Sequence, residues 1–123
     1  MTKRVLIADD DETNRDLIVK ALAKDKFETF LAVDGQEALD KARELVPDLI
    51  ILDIIMPAKS GYEVCEQLKA SPATSAIPVL FLSARSGPTT RQTAVNAGGS
   101  DFMPKPFSPR DLRDRVRQLL GLD

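Results

Sequence analysis

Leu49 to Leu52 is an unbroken apolar run that ends in a carboxylate, Asp53. A strand of this kind has no polar face to offer water, so it belongs inside a parallel sheet covered by helices on both sides. The rest of the chain supplies such a sheet. Val5 to Ala8 reads as a strand, after which Leu17, Ile18, Ala21 and Leu22 recur at helical spacing. Phe27 to Ala32 is a second strand, and Asp34-Gly35 opens a helix carrying Ala38, Leu39, Ala42 and Leu45. Beyond Asp53, Val64, Cys65 and Leu68 give a third helix its inner stripe. Pro72 and Pro78 bracket a loop before a fourth strand, Val79 to Leu82, and Pro88 starts a helix that ends near Gly98 and Gly99. Phe102 and Met103 supply a short fifth strand. Ser108 then caps a last helix with Pro109 at its first position and Leu112, Val116, Leu119 and Leu120 as its stripe. This alternation predicts parallel strands joined by right-handed crossovers: an α/β, doubly wound, five-stranded sheet in a three-layer α/β/α sandwich.

At 123 residues the chain is the size of one domain, expected to span 1–123, with no repeat, linker or low-complexity tract. No apolar run approaches the roughly 20 residues needed to cross a bilayer, and Lys3 and Arg4 lead straight into a strand rather than a signal peptide. A cytoplasmic protein without a membrane partner is the expectation. The net charge of -2 and the lack of a basic stretch give no electrostatic footprint for nucleic acid. Cys65 stands alone, and there is no histidine, which excludes an internal disulfide, a phosphohistidine intermediate, an imidazole base and a Ser–His–Asp triad. Chemistry must run on carboxylates, hydroxyls, lysine or a bound ion.

Open parallel sheets bind ligands at the carboxyl ends of their strands. There the sequence puts Asp9, Asp10 and Asp11 after the first strand, Asp53 after the third, Ser83 after the fourth and Lys105 after the fifth. Converging carboxylates repel one another unless a cation is present, and Mg²⁺ accepts oxygen ligands of this type while bridging readily to phosphate. An ionised Asp53 beside such an ion could attack phosphorus to give an aspartyl phosphate, with Lys105 and Ser83 paired to the phosphate oxygens. Each residue has a plainer reading: Asp9 to Asp11 as helix caps, Asp53 as a turn residue before Pro57, Ser83 as a loop hydroxyl and Lys105 as a solvated charge. The joint pattern lifts them above those readings.

The segments VLIADDD, LIILDIIMP, VLFLSA and DFMPKPF resemble, in order and spacing, the four signature regions of response-regulator receiver domains. The resemblance covers essentially the whole chain. It implies the flavodoxin-like strand order 2-1-3-4-5 and, position by position, Asp53 as phosphoacceptor and Asp10 as a Mg²⁺ ligand. Asp9 would act on the ion largely through water, Asp11 would lie outside the ligand set, and the carbonyl of Ile55 would be the backbone ligand. Lys105 would hold a phosphate oxygen, its bond to Pro106 being cis. Ser83 matches the hydroxyl that moves toward the phosphoryl group and Phe102 the aromatic switch that follows it, with core packing as the plainer reading of Phe102. The partners implied are a sensor histidine kinase or histidine phosphotransfer protein and a downstream protein target. The fourth helix, fifth strand and fifth helix would form the docking face, also used for a homodimer. The domain would be a signalling module rather than an enzyme, catalysing its own phosphoryl transfer and slow autodephosphorylation.

Two departures from the family pattern carry expectations. Gly99-Ser100 stands where the family has alanine and an acidic residue, predicting a looser turn into the fifth strand. Ile55 and Ala84 cannot position an attacking water, predicting slow loss of the phosphoryl group. Cys65 reads as a small buried hydrophobe rather than a sensor thiol. Arg110, Arg113, Arg115 and Arg117, interleaved with Asp111 and Asp114, read as a solvated salt-bridged face, with a partner surface as the alternative. Three other functions compete. An aspartate-nucleophile phosphatase of the haloacid-dehalogenase kind would use Asp9 in its D-x-D pattern, but needs a longer chain. A flavin module would meet carboxylates where it needs hydroxyls. A phosphorylation-independent interaction module would have no use for the full Asp10, Asp53, Ser83 and Lys105 set.

Overall fold

The computed structural model describes residues 2–85 and 87–122. Its strands are β1 (Arg4–Ala8), β2 (Glu28–Ala32), β3 (Leu49–Asp53), β4 (Val79–Ser83) and β5 (Asp101–Pro104). Its helices are α1 (Glu12–Leu22), α2 (Gly35–Leu45), α3 (Gly61–Lys69), α4 (Pro88–Asn96) and α5 (Pro109–Leu119), with a 3₁₀ turn, Ala23–Asp25, after α1. All strand pairs are parallel, in the order β2-β1-β3-β4-β5. This is the doubly wound, flavodoxin-like sheet expected from the sequence. β3 and β4 are buried along their whole length, as an unbroken apolar strand requires.

Alternation along the strands divides the core in two. Leu6, Ala8, Ile50, Leu52, Val79, Phe81 and Phe102 pack under α2, α3 and α4, and Val5, Ile7, Leu49, Ile51, Leu80, Leu82 and Met103 pack under α1 and α5. Cys65 is fully buried in the first cluster, and burial pushes its thiol up to about 11, so it is an inert hydrophobe. Local chemistry sets the helix starts. Asp11, Asp34 and Ser108 cap α1, α2 and α5, and Ser60 with Glu63 forms a reciprocal capping box on α3. Within the α1 stripe Ile18 and Leu22 are buried, whereas Leu17 is exposed beside Phe107 and Pro109.

Two expectations change. The turn into β5 is tight rather than loose: Ser100 N–H donates to the Val79 carbonyl at 2.8 Å, and Val79 N–H donates to Ser100 Oγ at 3.1 Å. Gly99 is required there, because a Cβ would lie 2.6 Å from the Phe81 ring. The small residues thus let the turn close against an aromatic instead of loosening it. Three of the four α5 arginines named, Arg113, Arg115 and Arg117, are salt-bridged as expected, but their partners lie on other elements. Arg113 and Arg117 both pair with Asp25 in the turn after α1, and Arg115 pairs with Asp101 of β5 at 2.6 Å. The Arg113 hydrogen bond and both positive charges hold the Asp25 carboxyl below the usual range although partial burial opposes them. Asp25 is covered by the arginines themselves, at the domain's edge.

The start of α3 meets the end of β3 without room for a side chain. Gly61 N–H donates to the Ile54 carbonyl at 2.7 Å, and a Cβ at this position would fall 2.2 Å from the carbonyl oxygen of Asp53. Gly61→Ala must therefore push α3 off the strand that carries Asp53. We expect it to lower the unfolding free energy in urea by about 1–3 kcal/mol.

Candidate functional site

Four strand ends converge on one edge of the sheet. Asp53 is the last residue of β3, Asp9 and Asp10 follow β1, Ser83 ends β4, and Lys105 follows β5. Asp9 and Asp53 are buried, with 1% and 8% of their surface exposed, whereas Asp10 faces solvent. One carboxylate oxygen from each of the three lies within 4.8 Å of the others. The Lys105 ammonium sits 2.7 Å from Asp9 Oδ2 and 3.4 Å from Asp53 Oδ2. It reaches that position from a peptide bond to Pro106 that is cis, as the resemblance implies.

Two hydrogen bonds fix Asp9 further, one at its carboxylate and one at its backbone carbonyl. Asp9 Oδ1 accepts from Asp11 N–H at 3.0 Å, and the Asp9 carbonyl accepts from Arg15 Nη1 at 2.8 Å. Asp11 faces Thr13 N–H as the α1 cap, so the plainer reading holds for that aspartate. Burial pushes the Asp53 carboxyl up; Lys105 opposes this, the charge of Asp9 adds to it, and a hydrogen bond from the Ile55 backbone opposes it. Burial alone would pull the Lys105 ammonium down, but its bond to Asp9 and the charge of Asp53 outweigh that and hold it above its ordinary range. The edge carries two buried carboxylates and an exposed one against a single ammonium. Its donor set is entirely oxygen, which fits a hard divalent ion such as Mg²⁺ rather than zinc.

Ser83 is buried, and its Oγ accepts from Arg85 N–H at 3.0 Å, tying the loop after β4 back onto the strand. Its carbonyl accepts from Lys105 N–H at 2.7 Å, so β4 and β5 hold hydroxyl and ammonium in register. Phe102, the register partner of Phe81, is buried with 6% exposure. Beside the site the Ile55 side chain is 53% exposed, and Ala84 is exposed as well. The structure therefore brings Asp9, Asp10, Asp53 and Lys105 into contact range and places Ser83, Ile55 and Phe102 on adjoining backbone. Sequence reasoning missed Arg15 and Gly61. Arg15 carried no signal beyond its helical offset from Asp11, while Gly61, just after the α3 cap, was the one visible hint of a close approach.

Fold and edge define a flavodoxin-like domain with an acidic, cation-attracting site at the carboxyl ends of its strands. The family model for the response regulator receiver domain matches residues 5–117, and the chain belongs to that family. The response regulator MprA of Mycolicibacterium vanbaalenii is 38% identical across 98% of this chain and 51% of its own. The alkaline phosphatase synthesis transcriptional regulatory protein PhoP of Bacillus subtilis is 38% identical across 98% of this chain and 49% of its own. The chain thus spans about half the length of the curated relatives it matches. The chemotaxis response regulator CheY4 of Vibrio cholerae superposes with a TM-score of 0.91 at 28% identity, over 97% of this chain and 99% of that one. A CheY-like receiver domain protein from Methanospirillum hungatei gives 0.91 at 26% identity, over 98% and 95%. Among the described residues no helix is long and apolar enough to cross a membrane.

The raised Asp53 carboxyl sets a sign for stability. Keeping it ionised costs the fold free energy above its folded value, and that cost vanishes as pH falls below the ordinary carboxylate value of 3.8. In EDTA at neutral pH, Asp53→Asn should stabilise the domain by on the order of 1 kcal/mol, a few degrees in melting temperature. The gain should shrink toward pH 3 in a pH series of thermal melts. Adding Mg²⁺ should raise the melting temperature of the wild type more than that of the variant.

Proposed function

We propose that the domain is a phosphorylation-activated switch that accepts a phosphoryl group on Asp53. The observation that carries this is the grouping of Asp53 with Asp9 and Asp10, within 4.8 Å, beneath the ammonium of Lys105. Asp10, Asp53 and the Ile55 carbonyl would hold Mg²⁺, with Asp9 acting on it through water; bound there, the ion would neutralise the carboxylates and the incoming phosphate oxygens. In the transfer step an oxygen of Asp53 bonds to phosphorus while the phosphorus–nitrogen bond to the donor's imidazole breaks, and the imidazole takes up a proton. Lys105 moves its contact from Asp9 to a phosphate oxygen, and the Ser83 hydroxyl donates to another. These 123 residues contain no histidine, so the donor imidazole lies outside them, on a histidine kinase or phosphotransfer domain.

A shift of the Ser83 hydroxyl toward the phosphoryl group, to donate to it, would carry with it the Arg85 N–H that the same oxygen accepts and so bias the loop between β4 and α4. The downstream partner, or a second copy, reads the α4–β5–α5 face, where Arg91, Phe102, Asp111, Asp114 and Arg115 line one groove. The family relation favours this reading over a phosphorylation-independent module or a phosphatase with Asp9 as nucleophile.

Intact-protein mass after treatment with phosphoramidate or acetyl phosphate tests the acceptor. A labile phosphate-sized gain should need Mg²⁺, appear in Asp9→Asn if more slowly, and be absent in Asp53→Asn; no gain in the wild type would sink the proposal in favour of an interaction module. The exposed Ile55 side chain and the methyl of Ala84 offer no group to orient water. We therefore expect the phosphoryl group to persist for many minutes once the donor is removed with Mg²⁺ retained. Decay within seconds, followed by mass, would overturn that expectation.

A further inference from the structure

α4 is the helix least anchored by its own interior. Ala94 is its one buried residue, and its cap, Gly87, has no side chain to contribute and a φ of +151°. Two side-chain contacts tie its first half to the domain. The Tyr62 hydroxyl donates to the Thr90 carbonyl at 3.3 Å, and the Arg91 guanidinium carbon lies 5.0 Å from the centre of the Phe102 ring. Arg91 is otherwise exposed, and none of the ion pairs or side-chain hydrogen bonds of the described residues involves it, so stacking on Phe102 is the contact that places it. The geometry around the pair is informative. One groove, lined by Met103, Pro104 and Phe107, and another, lined by Val95, Gly99 and Ser100, both reach Arg91 and Phe102. Phe102 thus borders two grooves, is 6% exposed, and has the guanidinium of Arg91 over its ring.

We propose that Arg91 is a positioning residue that holds Phe102 in its buried orientation before any phosphorylation. This rests on the reading of Phe102 as the aromatic of the switch. A guanidinium over a ring face is attractive because the face is the negative pole of the ring quadrupole. Phe102 has no hydroxyl to bond outside the core, so nothing of its own opposes that attraction. Linkage gives the consequence. Here the ring is inward while Ser83 is still tied to Arg85 N–H, so if the phosphorylated conformation favours the inward ring, a ring already held there lowers the cost of reaching it. Arg91 would set how far the resting domain leans toward that state, and whatever pulls α4 away, including a partner on its face, would release the ring.

A fluorine label at position 102 (4-fluorophenylalanine) with relaxation dispersion reads the minor outward population directly in unphosphorylated protein. In Arg91→Gln that population should rise about two- to fivefold, the factor an exposed cation–ring contact supplies. Arg91→Lys, which keeps a cation, should bring it back toward the wild-type value. An outward population unchanged in Arg91→Gln overturns the proposal, as does a rise that lysine fails to reverse. Arg91 is exposed, so both variants should fold, which a melting curve confirms. The same label read with phosphoramidate and Mg²⁺ separates the two readings. A wild-type ring whose populations ignore phosphorylation sinks Phe102 as a switch, while the resting comparison still decides what Arg91 does.

Discussion

Everything functional here depends on one electrostatic arrangement: Asp9 and Asp53 buried side by side with a single ammonium, Lys105, between them. Two carboxylates taken out of water repel each other and lose hydration, and one lysine cannot offset both. The fold tolerates the arrangement because its neighbours are fixed. Asp9 is held by Asp11 N–H, Asp53 faces the Ile55 backbone, and Gly61 lets α3 close over the end of β3. The excess negative charge that remains, on oxygen ligands alone, suits the edge to a hard divalent cation. The cost of that charge falls on Asp53, whose carboxyl is pushed up by burial.

Around that edge the domain is unevenly held. β3 and β4 are buried along their whole length, and α1 and α5 are joined through Asp25, which two arginines cover. α4, by contrast, rests on one buried alanine, a tyrosine hydroxyl and an arginine on an aromatic ring. Elements with few buried contacts are the ones that move at low cost. The helix that follows β4 and carries the Arg91 contact to Phe102 is therefore the part that moves at least cost. The tight turn at Gly99-Ser100 keeps β5 in place beneath it, so motion at α4 need not be shared by the sheet.

Much of this was legible in the sequence, for a physical reason. Burial imposes periodicity, so the apolar run Leu49 to Leu52 declared a central strand, and the stripes of α2, α3 and α5 declared their inner faces. Capping is local chemistry, so Asp34 and Ser108 marked helix starts correctly. Once the alternation fixed a parallel sheet, its carboxyl edge had to gather Asp9, Asp10, Asp53, Ser83 and Lys105, whatever their separation along the chain. What the sequence left open was lateral. Which groups meet across elements depends on how each helix is rotated and where it docks, and no local pattern records that. Only the tertiary structure put Lys105 on Asp9 as well as Asp53, turned Arg113, Arg115 and Arg117 of α5 toward Asp25 and Asp101, closed the Gly99 turn on Phe81, and laid Arg91 over Phe102.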